Sequence, residues 1–449
     1  MAATAILGGT VIDTVSGSAT ENAAVVISGD RIVEAGPAGR VRVPVDAARI
    51  DARGAWLIPG LTDMHAHVRS PELLPLFLAH GVTAIRDVGG NLARGQLLRA
   101  DLAAGRRVGP CLAIAGNILD GVPPLWPDIS ILVDTPERAE AAVRFLAAAG
   151  VDVIKVYNSV PERSLETIVR TAHELGLPVT GHVPRAITMT RALELGMDGL
   201  EHVRVTGREM LPADEAARID FLPVRRREAM LWERFDPAWP QFDRLIERLA
   251  ASGAYLDPTF VVDAAPLRTP EESARDEDMS RYPAWIAEAI GQSAAVRATQ
   301  THAFQRVMET PPEVVAAARE GFRKRQRFIA RCAEAGVRIV SGTDHWGPGE
   351  DLPGRGLQRE LGYLADCGLD PLRVLQTSTI AAARALRREA DLGSIEAGKL
   401  ADIVLLDRDP LQDIRNVSAV RTVIHGGRVA TPGELIAAPP AEPATPYAA

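Results

Sequence analysis

From Leu57 to Asp344 the sequence repeats one unit, a short apolar run followed by a helical stretch or a longer connection. Eight runs can be counted: WLIPGLTDMHAHV, VTAIRDVG, CLAIAGN, VDVIKVY, PVTGHV, GLEHV, AYLDPTF and VRIVSGTD. Amphipathic segments such as PERAEAAVRFLAAAG and SLETIVRTAHELG separate several of them. Strands that alternate with helices pair in parallel, because a parallel crossover needs a connection long enough to hold a helix. Eight such units predict an α/β fold, a (β/α)8 TIM barrel.

The flanks follow a different rhythm. TAILGGTVIDT and AAVVISGDRIVEAG are β-type runs, the second split by Gly-Asp in the manner of a hairpin. ADLGSIEAGKLADIVLLDRDP and SAVRTVIHGGRVA return to short strands and Gly turns after the barrel. We therefore expect a small flanking β-sandwich domain built from both chain ends, residues 1–56 and 394–433, around a barrel over 57–393. Residues 434–449 are rich in Pro and Ala, lack periodicity and read as a disordered tail.

Lys and Arg total 50 against 58 Asp and Glu, a net charge of −8 with no basic field for nucleic acid or an anionic membrane. A small-molecule partner fits better. No window reaches the ~18 uninterrupted apolar residues of a membrane span, and MAATAILGGTVIDTVSG has no basic leader. Three cysteines without C-x-x-C spacing, Cys111, Cys332 and Cys367, suit reduced buried thiols, so a cytoplasmic location is expected. Gly-rich fragments such as DVGGN match no nucleotide-binding pattern.

The chemistry gathers at strand ends. His65 and His67 in GLTDMHAHV are two residues apart, so both imidazoles share one strand face at the barrel mouth. His182 closes PVTGHV, His202 closes GLEHV and Asp344 closes VRIVSGTD. Barrel cores are dominated by Val, Ile and Leu, so five metal-competent side chains at the ends of strands one, five, six and eight point to a metal site.

With these motifs, the chain resembles the amidohydrolase superfamily of metal-dependent (β/α)8 hydrolases over nearly its whole length. The His-Ala-His pair at 65 and 67, the histidines 182 and 202, the GTD at 342–344 and GSIEAGKLADIVLLD at 393–407 carry the likeness. VIKVY, GHVP, EHV, DPTF and GTD resemble the branch of imidazolonepropionase-like and Xaa-Pro dipeptidase-like enzymes. The resemblance implies that Lys155, in strand four, is a carbamate formed with carbon dioxide that bridges two divalent metals. His65, His67 and Asp344 would then hold one ion, and His182 and His202 the other. The competing reading of Lys155 is an ordinary lysine paired with Asp or Glu, since modification is not written in sequence. Mixed nitrogen and oxygen ligands suit zinc, with manganese, cobalt or iron as alternatives.

Under that resemblance a water bridging two ions attacks an amide carbon, and Asp344 moves its proton to the departing amine. N-acyl amino acids or dipeptides lead as substrates. Lactone, cyclic amide or phosphotriester hydrolysis on the same centre is the alternative, and a non-catalytic homologue is the rival from another class. Tyr157, on the same strand face as Lys155, is a candidate substrate contact or a rim-filling aromatic. Arg204, His302, Trp126 and Trp346 are weaker pocket candidates. The run Arg225 to Arg227 reads as a solvated face before a carboxylate contact. His80, His173 and His425 read as structural. By likeness to the family, a homo-oligomer is expected.

Overall fold

The computed structural model describes residues 3–219, 222, 224–268, 282–289, 314–344 and 352–437. The eight barrel strands expected from the sequence are present in order. They are Leu61–Ala66, Val82–Asp87, a third strand in two pieces, Ile154–Val156, Val179–Gly181, Gly199–Glu201, Tyr255–Asp257 and Arg338–Ile339. Neighbours pair in parallel from first to third and from the second piece of the third to the eighth. The ring closes where the Met64 amide donates to the Ser341 carbonyl at 2.9 Å. The third strand breaks into Cys111–Ile114 and Ile118–Asp120 around Gly116, whose φ of 67° is costly for a side chain.

Helices sheathe the barrel through apolar stripes. In Glu162–Glu174 the buried residues Leu165, Ile168, Val169 and Ala172 recur at three- and four-residue spacing. The neighbouring helix Pro136–Ala148 starts at Thr135, whose side chain accepts the Arg138 amide.

The β-rich unit is one eight-stranded mixed sheet made from both flanks. Trp56–Pro59 pairs antiparallel with Ile403–Leu406 and in parallel with Thr4–Ile12, which joins the two contributions. Its edge strand Arg31–Pro37 and the preceding turn are tied to the segment leading into Ile403–Leu406: the Ile32 amide donates to Lys399 O at 2.9 Å and the Ala401 amide to Asp30 O at 2.8 Å. Ile6, Val25, Ile27, Leu57, Ile403, Leu405 and Ile424 fill the interior. The Gly-Asp hairpin forms as expected, with Ser28 facing Arg31 across the turn.

Two boundaries differ from expectation. WLIP belongs to the β-rich sheet, and the chain enters the barrel at Gly60, where a Cβ would collide with the Thr83 side chain. The tail does not lose order at Glu434. Pro432–Ile436 is a helix whose capping box is formed by Thr431 and Glu434 themselves, and residues 438–449 lie outside the described residues. The long connection after the sixth strand is mostly helical, with Gly207–Met210, Ala213–Ile219, Val224–Arg234 and Pro240–Ser252. Trp232 within it is core, packed with Phe235, Phe242 and Phe328. Among the described residues no helix is long and apolar enough to cross a membrane.

Candidate metal centre

The barrel brings His65, His67, His182, His202 and Asp344 to one end of its strands. His65 Nε2 and His67 Nε2 lie 3.3 and 3.2 Å from Asp344 Oδ1, and His202 Nε2 is 3.9 Å from Oδ2. His182 Nε2 faces His202 Nε2 at 3.1 Å. Two residues reach the centre through left-handed backbone, His202 at φ 63° and Asp344 at φ 52°. Such conformations are uncommon without glycine and cluster at functional sites.

Three of the four imidazoles around the cluster, those of His67, His182 and His202, are oriented from behind. His67 Nδ1 donates to Gly89 O at 3.0 Å, His182 Nδ1 meets Asn158 Oδ1 at 2.9 Å, and His202 Nδ1 meets Thr259 Oγ1 at 2.6 Å. With Nδ1 engaged, Nε2 is left for an ion, the arrangement metal-binding histidines use. Burial holds His65, His182 and His202 well below the ordinary imidazole range. The charge of Lys155 adds to this at His65, and that of Arg204 at the other two. Neutral rings are the ligating form. Against the penalty of its own burial, Asp344 is held well below the carboxylate range by His65, and by His67 and His202. Three inward Nε2 atoms and an ionised carboxylate are a donor set suited to divalent cations.

Lys155 is buried in the same barrel, and in the unmodified chain its Nζ lies against Glu201 Oε2. This is the paired-lysine arrangement that competes with the carbamate. Burial holds the amine well below the ordinary lysine range, partly opposed by Asp344 and Asp257.

Sequence reasoning missed the layer beneath. The buried Arg86 donates from Nε to Met64 O at 2.6 Å, from NH2 to Glu201 Oε1 at 3.1 Å, and from NH1 to the Tyr255 hydroxyl. Thr180 Oγ1 also donates to Glu201 Oε1, at 3.0 Å. Asp63 accepts from the His65 amide and from the Thr343 amide and hydroxyl. Burial raises Asp63 and Asp257 each to about 7. The signal was available: Arg86, Glu201 and Asp257 are charges inside apolar barrel strands, as Lys155 is.

Tyr157 stacks on His182 with ring centroids 4.1 Å apart, and its hydroxyl accepts from Trp126 Nε1 at 3.0 Å. That places Tyr157, and Trp126 behind it, beside the centre. His302, His345 and Trp346 lie outside the described residues. His80 ends a helix, His173 pairs with Asp198 on the surface, and His425 ends a strand of the β-rich sheet. The cysteines are free thiols, Cys332 and Cys367 buried and Cys111 partly so. Of the basic run, Arg226 is exposed while Arg227 is buried against Glu228, and the Arg225 side chain lies outside the described residues.

Comparison with known proteins agrees with this geometry. The model of the amidohydrolase family matches residues 56–430. An imidazolonepropionase from Shouchella clausii is 35% identical over 111 residues, 23% of this chain and 24% of that protein. The chain covers at most 57% of the adenine deaminases it also matches. Among solved structures, an Xaa-Pro dipeptidase with bound methionine superposes with a TM-score of 0.67 at 21% identity, over 96% of this chain and 100% of that one. A bottromycin amidohydrolase gives 0.72 at 24% identity, over 96% and 88%. The strand-end histidines, the barrel and the match over most of the sequence converge: the chain belongs to the amidohydrolase family.

Proposed function

We propose that the protein is a metal-dependent hydrolase cleaving an amide C–N bond in small molecules, with N-acyl amino acids or dipeptides as substrates. The observation that carries this reading is the convergence of three inward-facing Nε2 atoms on the ionised Asp344 at the barrel mouth. His65, His67 and Asp344 would hold one divalent ion, His182 and His202 a second, with Lys155 between them as a carbamate. Zinc suits the donor set. Ions bound there supply an acidified water and polarise the scissile carbonyl.

The chain's own groups do the rest. Asp344 is ionised, so it accepts the proton of the attacking water and returns it to the departing amine nitrogen. Gly89, Asn158 and Thr259 fix the imidazoles, so the donors need no reorganisation during turnover. The Tyr157 hydroxyl, which accepts from Trp126 Nε1, would contact the substrate carbonyl oxygen. For Lys155 to become a carbamate, Glu201 must give up its contact with Nζ. Arg86 and Thr180 hold its other oxygen and keep the carboxyl anchored as it does so.

The test is amine release from a panel of dipeptides and N-acyl amino acids, with zinc-reconstituted protein and a chelator-treated blank. We expect chelator-sensitive release, a loss of at least ~1000-fold in Asp344→Asn with some metal retained, and a lower metal count in Lys155→Ala. No release from any panel member by metal-loaded protein overturns the reading.

A further inference from the structure

Next to the centre, the loops after the fourth, fifth and sixth barrel strands and the helix Val224–Arg234 enclose a small recess. Its walls include Asn158, Arg185, Arg204, Thr206, Arg227 and Glu228. Three guanidiniums face one carboxylate there. The carboxylate is already engaged, since Arg227 Nε and NH2 donate to Glu228 Oε1 at 3.2 and 3.0 Å. Arg185, which the buried Asp120 carboxylate partly opposes, and Arg204 remain as positive charges. Burial, and then Arg227 and Arg204, pull Arg185 below the usual arginine range, the mark of cations crowded together.

The neutral donors point the same way. Asn158 is buried; its Oδ1 meets His182 Nδ1, and its Nδ2 has no hydrogen-bond partner. Arg185 Nε and Thr206 Oγ1 are buried and unpartnered as well. An unsatisfied buried donor costs about 1–3 kcal/mol, so three around one recess are expensive unless something accepts from them. Glu228 Oε2 is an unpartnered acceptor on the same wall, and the guanidiniums of Arg185, Arg204 and Arg227 outnumber the Glu228 and Asp120 carboxylates. The charge of Arg204 is felt at Tyr157, His182, His202 and Lys155, so the recess adjoins the centre. The cavity, about 20 Å³, exceeds the ~10–15 Å³ that one water requires and admits a head group, not a side chain.

We propose that this recess recognises a carboxylate, so that the substrate is anchored by a free carboxyl group held by Arg185 and Arg204 and hydrogen-bonded by Asn158 and Thr206. This deepens the hydrolytic reading above, on which its catalytic consequence rests. A planar carboxylate accepts two parallel donors from one guanidinium, which makes arginine its usual partner. Because Asn158 also orients His182, an occupied recess fixes the amide that fixes the imidazole. Asn158 is therefore a positioning residue as well as a contact.

The experiment compares N-acetyl amino acids with their matched carboxamides, which keep the shape but lose the charge and replace one acceptor oxygen by an NH2 donor. Wild-type protein should favour the acids by about 100-fold in kcat/KM. Arg185→Met and Arg204→Met should each raise KM for the acids about 10- to 100-fold, with a smaller change in kcat and the metal count unmoved. Arg185→Lys should restore part of the loss. Titration calorimetry of Asp344→Asn with the same pairs separates binding from turnover. Preferential binding of the acids without hydrolysis by wild type would sink the hydrolytic reading and support the recess. Equal turnover or binding of acids and carboxamides, or an acid preference that survives both arginine substitutions, would overturn the recess.

Discussion

Arg86 is the strongest test of how the barrel supports its centre. Arg86→Met keeps most of the side-chain volume and removes every donor. Met64 O loses its 2.6 Å bond, Glu201 Oε1 keeps only Thr180, and the Tyr255 hydroxyl loses its guanidinium partner. Each neutral group left unsatisfied costs about 1–3 kcal/mol, and breaking a buried ion pair on one side costs about 3–5 kcal/mol. These terms overlap, so a loss of about 3–5 kcal/mol is expected. The assay is denaturant unfolding of the single variant, of Glu201→Gln and of the double variant, with metal content measured in parallel. Because the Arg86 cost includes a Glu201 carboxylate left without its guanidinium, with only Lys155 and Thr180 as partners, the double variant should lose at least ~1.5 kcal/mol less than the sum of the singles. A loss under ~1 kcal/mol, or strict additivity, would refute the claim that Arg86 neutralises this layer.

Two further outcomes follow from the geometry. Gly342→Ala would drive a Cβ into Asp257 and the His65 side chain, so metal content should fall sharply while the β-rich unit stays folded; full metal loading would contradict this. His80 donates from Nδ1 to Leu76 O and meets the Tyr282 hydroxyl through Nε2, and burial lowers it to about 4. A histidine lowered on folding binds its proton more readily when unfolded. Its stabilisation is therefore complete above pH ~6.5 and declines as pH falls toward 4, by at most about 3 kcal/mol. Unfolding midpoints between those pH values should flatten in His80→Gln, and an unchanged slope would exclude the residue as the cause.

The sequence made the centre visible because a strand alternates faces with a period of two. That put His65 and His67 on one side, and the other ligands close their own strands. The layer below was less legible for a physical reason. Arg86 pairs with Glu201 and lies 3.9 Å from Asp257, across three strands, and a single strand shows only one half of each pair. The recess was harder still. Arg185, Arg204 and Arg227 come from three segments whose meeting depends on helices in the connection after the sixth strand, and the short Arg225–Arg227 run read as solvent-facing while one member turned inward. The split of WLIP from the first barrel strand rested on Gly60 and Thr83, a contact between residues that the pattern treats independently.

The pairing of Trp56–Pro59 with Ile403–Leu406 orders events in time as well as space. The strand that leads directly into the barrel has its antiparallel partner at the far end of the sequence, so during synthesis it waits, unpaired on that side, until nearly the whole chain has emerged. Loop-closure entropy makes such a distant contact slow to form. Completing the β-rich sheet therefore requires both flanks of the barrel segment to be present. Residues 403–406 thus act as a latch on Trp56–Pro59, the segment that leads into Leu61–Ala66 and its His65.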